Sequence, residues 1–178
     1  MAVRYQDLLK AAVSKGNVLD ASSWFEKTFQ DLSKSTDTVI NRGDERLTKS
    51  LSIGKMYLFH YDPKHKEKLP LYDRFPLIFP FERATNGFYG INFHYIPYLQ
   101  RAKLLDELVA LATNKNLTEN TRLNLNYRLL KSVASSKYFE PCIKRYLNSH
   151  VRSRFLLINP SEWGKALILP VEDFVYKK

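Results

Sequence analysis

The sequence predicts an α+β fold: a small antiparallel sheet of about five short strands, able to curl into a partly open barrel, with a helical insert and a helical arm in front of it. Three observations predict it. Residues 55–96 are short runs rich in Tyr, Phe, Leu and Ile, broken by Pro, Gly and Asn, which is the pattern of a β-meander. Residues 99–134 carry apolar side chains at spacings of three and four, the period of a helix with a buried face. Residues 1–50 hold little core material beyond one helical stripe. The chain therefore divides into a helical arm over residues 1–54 and an α+β core over 55–178.

In the arm, a short helix fits Tyr5–Ser14, with Leu8, Leu9, Ala12 and Val13 on one side and Gly16–Asn17 ending it. A second helix opens at Ser22 or Ser23 and aligns Trp24, Phe25, Phe29 and Leu32. An apolar stripe without a neighbouring partner must dock elsewhere, on its own domain or on another subunit. These four residues are the candidate subunit contacts.

In the core, Lys55–Tyr61 reads as the first strand, with Met56, Leu58 and His60 on one side and Tyr57, Phe59 and Tyr61 on the other. Lys64–Lys68 is a charged loop. Phe75–Glu82 carries Pro76 and Pro80, so it is an edge or bulged strand, and Asn86–Gly87 is a tight turn into the strand Phe88–Ile96. Helices follow over Leu99–Thr113 and, capped by Thr118, over Glu119–Ala134, whose inner face would be Leu123, Tyr127, Leu130 and Val133. Pro141 opens a short helix with Ile143, Tyr146 and Leu147 inward and Lys144 and Arg145 outward. Arg152–Ile158 and Ala166–Leu169 read as the last two strands, separated by a single turn at Glu162–Lys165 that Asn159–Ser161 caps.

Composition narrows the function. No run approaches the ~20 apolar residues of a membrane-spanning helix. The N-terminal stretch, with Arg4, Asp7 and Lys10, lacks the apolar centre of a secretory signal. The single cysteine, Cys142, excludes an internal disulfide and a thiolate-only zinc site, and fits a chain made in a reducing cytoplasm. The formal net charge is +10, from 28 Lys plus Arg against 18 Asp plus Glu. Residues 100–154 alone hold 11 basic and 4 acidic side chains, a local excess of +7 that suits a polyanion as well as it suits a solvated surface.

Catalytic chemistry is hard to find. His60 and His94, with Asp62 or Glu82, lack metal-ligand spacing and read better as strand histidines bonded within the fold. Asp62, Asp73 and Glu82 with Lys64, Lys66 or Lys68 form the alternative of a Mg²⁺-dependent nuclease, although the same residues read naturally as turns and strand ends. Cys142 lies beside Lys144 and Arg145, a setting that lowers a thiol pKa, yet a small packed residue is the plainer reading. No nucleophile elbow or glycine-rich phosphate loop is present, and no catalytic residue, metal or cofactor is expected. The strongest stretch is 137–154, where Lys137, Lys144, Arg145, Arg152 and Arg154 face a single acid, Glu140, with Tyr138 and Tyr146 interleaved. Arg152 and Arg154 would share one face of a strand beside Lys144 and Arg145, making a positive ledge for phosphates, with the Lys64–Lys68 loop as a further contributor. A protein interface with acidic partners is the competing use of the same ledge.

Four motifs carry a family resemblance. They are MYLFHYDPK at 56–64, LPLYDRFPLIFP at 69–80, GFYGINFHYI at 87–96 and CIKRYLNSHVRSRF at 142–155. Together they make the chain similar, over about residues 54–174, to a family of small virion proteins of T-even-type contractile-tailed phages and cyanophages. The resemblance implies a DNA end protector or head-completion protein: a non-enzymatic virion component, made in the host cytoplasm, that binds duplex DNA and other virion proteins. A tail, neck or baseplate structural role is the alternative within the same group.

Overall fold

A computed structural model of the chain describes residues 46–69, 71–167 and 175–177, with the isolated positions Ser23 and Lys27. Trp24, Phe25, Phe29 and Leu32 lie outside the described residues, as do the arm helix over 5–14 and the end of the final predicted strand. The strands are β1 (Leu47–Thr48), β2 (Met56–Leu58), β3 (Leu71–Asp73), β4 (Leu77–Ala84), β5 (Gly87–Asn92), β6 (Ile143–Leu147), β7 (Phe155–Ile158) and β8 (Val175–Lys177). The helices are α1 (Tyr98–Thr113), α2 (Glu119–Ala134) and the short α3 (Trp163–Leu167).

Six strands form one antiparallel sheet in the order β1-β7-β2-β4-β5-β6, and β3 pairs with β8 in a separate ribbon. This α+β architecture corrects the barrel expectation. The end strands β1 and β6 do not pair, so the sheet stays open, and it has six strands rather than five. Closure needs consistent tilt and stagger around a complete ring, which strands of two and three residues cannot supply.

Strand alternation divides the side chains between two clusters. Met56, Leu58, Leu77, Phe79, Phe81, Ile91, Leu156 and Ile158 face α1 and α2 and pack on Leu104, Leu105, Leu108 and Leu130. Tyr57, Phe59, Tyr61, Ile78, Phe88, Tyr146 and Phe155 form the other cluster, with Phe59 in edge-to-face contact with Tyr146 at 5.3 Å and Phe155 at 5.1 Å. Gly90 packs so closely on the second cluster that a Cβ there would sit 2.8 Å from Ile78 Cδ1.

The segment 142–147 corrects a helix to a strand. A 3₁₀ stretch occupies Lys137–Cys142, and Ile143–Leu147 then pairs with β5. A helix of six residues is marginal in water, whereas the same residues on a waiting sheet edge complete a ladder. Arg152 and Arg154 precede β7, which begins at Phe155, so they do not share a strand face. Trp163–Leu167 is helical where a strand was expected from Ala166. Asn159 and Glu162 form a capping box, and the Trp163 indole donates to Ile158 O at 3.0 Å while its ring packs 5.2 Å from Phe79. In α2, the Thr118 hydroxyl caps the Thr121 N–H at 3.2 Å as expected, but Tyr127 is exposed and Asn126 takes the buried position.

Candidate functional site

The site grows from the end of the aromatic cluster. Tyr61 leaves β2 just before Asp62–Pro63, and a single bridge to Val151 holds it beside the segment before β7. Its hydroxyl accepts from the Leu147 N–H at 3.1 Å, which ties it to β6. On β6, alternation puts Tyr146 in the cluster, stacked on Phe88 at 5.4 Å, and places Lys144 on the same side opposite Gly90. The residues that surround the resulting cleft include Tyr61, Lys64, Tyr72, Asp73, Asn92, Tyr95, Lys144, Arg145 and Tyr146, and its volume is about 390 Å³.

A buried polar network forms its inner end. Asp73 Oδ2 lies 2.5 Å from His94 Nδ1 and accepts from Asn92 Nδ2 at 3.1 Å, while Oδ1 accepts from the Phe75 N–H at 2.9 Å. Asn92 Nδ2 also donates to the Tyr146 hydroxyl at 3.1 Å. Burial, with the Asp73 charge adding to it, raises the phenol pKa values of Tyr95 and Tyr146, so both remain neutral hydroxyls.

Cations meet at the outer end. Lys144 is half-buried with its ammonium 4.4 Å above the Tyr95 ring, and this burial lowers its pKa. Arg145 is exposed and donates to Thr85 O at 3.0 Å. Beside the cleft, Asp62 joins two further cations: Lys66 Nζ donates to it at 2.8 Å and Arg152 Nη2 lies 3.6 Å away. The Lys66 ammonium, then Arg152, holds the Asp62 carboxyl below its ordinary range. Arg152 N also donates to His60 O at 2.8 Å, which anchors the Arg152 segment to the strand that leads into the Lys64–Lys68 loop.

The fold thus gathers Lys64, Lys66, Lys144, Arg145 and Arg152 into one region. Lys68, Lys137 and Arg154 do not line the cleft; Lys68 and Lys137 are exposed and Arg154 is half-buried. Part of the +7 excess is spent inside the fold. Arg101 is fully buried, donating to Ile96 O at 2.6 Å and His94 O at 3.2 Å, and Lys131 pairs with Glu82. The buried Arg101, Asn92 and Asn126 were missed by the sequence reading because nothing in their local spacing marks burial.

The nuclease carboxylates have separate partners: Asp62 has Lys66 and Arg152, Asp73 has His94 and Asn92, and Glu82 has Lys131. His60 stacks on Phe75 at 5.0 Å while His94 faces Asp73. Among the described residues no three His, Cys, Asp or Glu side chains are grouped to hold a metal ion. Cys142 is buried and donates to Tyr95 O at 3.2 Å, and burial pushes its thiol up to about 11, opposite to an activated nucleophile. Among the described residues no helix is long and apolar enough to cross a membrane.

No curated protein and no solved structure shows a significant match to the chain. One family model does match, described as phage T4 terminal DNA protecting protein, and it spans residues 5–178. That match takes in both clusters and the whole cleft, and the chain belongs to the phage T4 terminal DNA protecting protein family.

Proposed function

We propose that this protein caps an end of packaged duplex DNA as a non-enzymatic component of the virion, with the basic cleft as its DNA-contacting surface. The observation that carries this reading is the convergence of Lys64, Lys144 and Arg145 on one aromatic-walled cleft, with Lys66 and Arg152 beside it. The family description names terminal DNA as what its members protect. Ammonium and guanidinium groups meet phosphates, and tyrosine rings offer stacking surfaces to exposed bases. Lys137, Lys68 and Arg154 belong to the proposal as outlying phosphate contacts. Trp24, Phe25, Phe29 and Leu32 are the proposed contacts with other virion proteins, made by a proposed arm over residues 1–54.

The test is protection of linear duplex DNA from a processive exonuclease. Saturating protein should slow degradation from the ends and release no nucleotides when the exonuclease is absent. Degradation at an unchanged rate, or cleavage by the protein itself, overturns the proposal. Affinity should also fall with salt, with a log–log slope of about −0.9 for each phosphate that the cleft cations neutralise.

A further inference from the structure

Resting on the end-capping reading, we infer that the cleft takes a single terminal nucleotide and that Lys144 and Lys64 hold its 5′-phosphate.

Three observations support the assignment. The first is size: about 390 Å³ falls within the roughly 300–1,000 Å³ of small-ligand sites, enough for one nucleotide and too little for a stack of base pairs. A duplex end presents one nucleotide to such a cleft at the lowest cost, because an internal base must first be flipped out of its stack.

The second is charge. Among the described residues no carboxylate lies within 4.0 Å of the Lys144 ammonium, although burial already disfavours its charge. An anion entering the cleft would restore what that half-buried cation lost on leaving water. A terminal phosphate monoester carries about −1.5 to −2 at pH 7, against −1 for each internal phosphodiester, so this cluster distinguishes an end from the middle of a strand. Asp73, at the inner end, is already engaged by the Phe75 N–H, the Asn92 amide and the His94 ring.

The third is the wall chemistry. Tyr61, Tyr72 and Tyr95 surround the space next to the cations, so a base and its phosphate can be met together.

The experiment uses the full chain and three DNA probes. Two are stem-loops closed at one end and open at the other, with a 5′-phosphate or a 5′-hydroxyl at the opening. The third is a dumbbell closed at both ends. The 5′-phosphate end should bind about tenfold more tightly than the 5′-hydroxyl end, the scale of one charge-assisted hydrogen bond. Lys144→Met and, independently, Lys64→Ala should each remove most of that difference. Lys64 is exposed on its loop, so the second variant keeps the test valid if the first fails to fold. Equal binding of the two open ends by the wild type, or an undiminished preference in the folded variants, overturns the assignment. In that event open ends still preferred over the dumbbell would leave end capping standing. Equal binding of all three probes would overturn both.

Discussion

The helix-covered face of the main sheet is closed by Leu, Ile, Met and Phe side chains packed on α1 and α2, with Trp163 sealing one end. The opposite face is built largely of rings, and at β6 it runs out into the cationic cleft through Tyr61 and Tyr146. Both faces come from the same strands. On β5, Ile91 serves the helix side, while Phe88 serves the ring cluster and Asn92 the polar network beside it. The difference teaches that one face can be read as fold alone, whereas the other joins fold and site through shared residues. Rings suit that double role because they bury a large area and, in tyrosine, present a polar edge to a partner.

Substitutions can break this comparison. The largest effect is expected from Phe79→Ala on the helix side, which removes a fully buried ring against Phe93 and Trp163. It should cost about 3–5 kcal/mol in urea denaturation and leave the salt slope of DNA binding unchanged for the folded fraction. A changed slope would show that the faces are not separable. Next, Tyr146→Phe removes the hydroxyl that accepts from Asn92, and should cost about 1–2 kcal/mol while altering DNA affinity as well. Unaltered affinity would confine Tyr146 to the fold.

Smaller effects sharpen the comparison from the site side. Lys144→Ala with Arg145→Ala should flatten the log–log salt slope by about two, with little loss of stability, as measured by binding at three salt concentrations. An unchanged slope excludes these two from phosphate contact. His60 is held below its ordinary pKa of 6.5 by burial, then by Arg74. Its neutral form is therefore favoured in the fold: the contribution is complete above pH 6.5 and is lost as pH falls towards the folded value. The urea midpoint should decline on acidification through this window, and His60→Gln should lessen the decline. Smallest is Lys66→Ala, which removes a solvent-screened pair with Asp62 and should leave the urea midpoint unchanged.

Some of this was legible residue by residue. Thr118 marks the start of α2 because a hydroxyl at that place satisfies a helix N–H locally. Alternation in 56–61 assigns Met56 and Leu58 to one face and Tyr57 and Phe59 to the other, as observed. Asn86, with φ of 59°, sits at the turn its sequence announced, joining β4 to β5. Charge, with the helix and strand faces expected for 144–154, singled out Lys64, Lys66, Lys68, Lys137, Lys144, Arg145, Arg152 and Arg154, of which the fold groups five in one region.

By itself the sequence determined what depends on near neighbours: helix periodicity, caps, turns, the two faces of the first core strand, and the family through its contiguous motifs. Tertiary structure alone decided the strand state of Ile143–Leu147, because its ladder partner is β5, and the openness of the sheet, because only β1 and β6 could have closed it. It also decided which cations the fold itself engages most deeply. Arg101 and Lys131 carry the same charge as Lys144, but one is buried on backbone carbonyls and the other is paired with Glu82. The network of Asp73, Asn92, His94 and Tyr146 contains a hydrogen bond between residues 54 positions apart, and the cleft beside it exists only once that distance is closed. Local forces act over a few residues, so they write elements into the chain; a site made by long-range packing has no local signature to read.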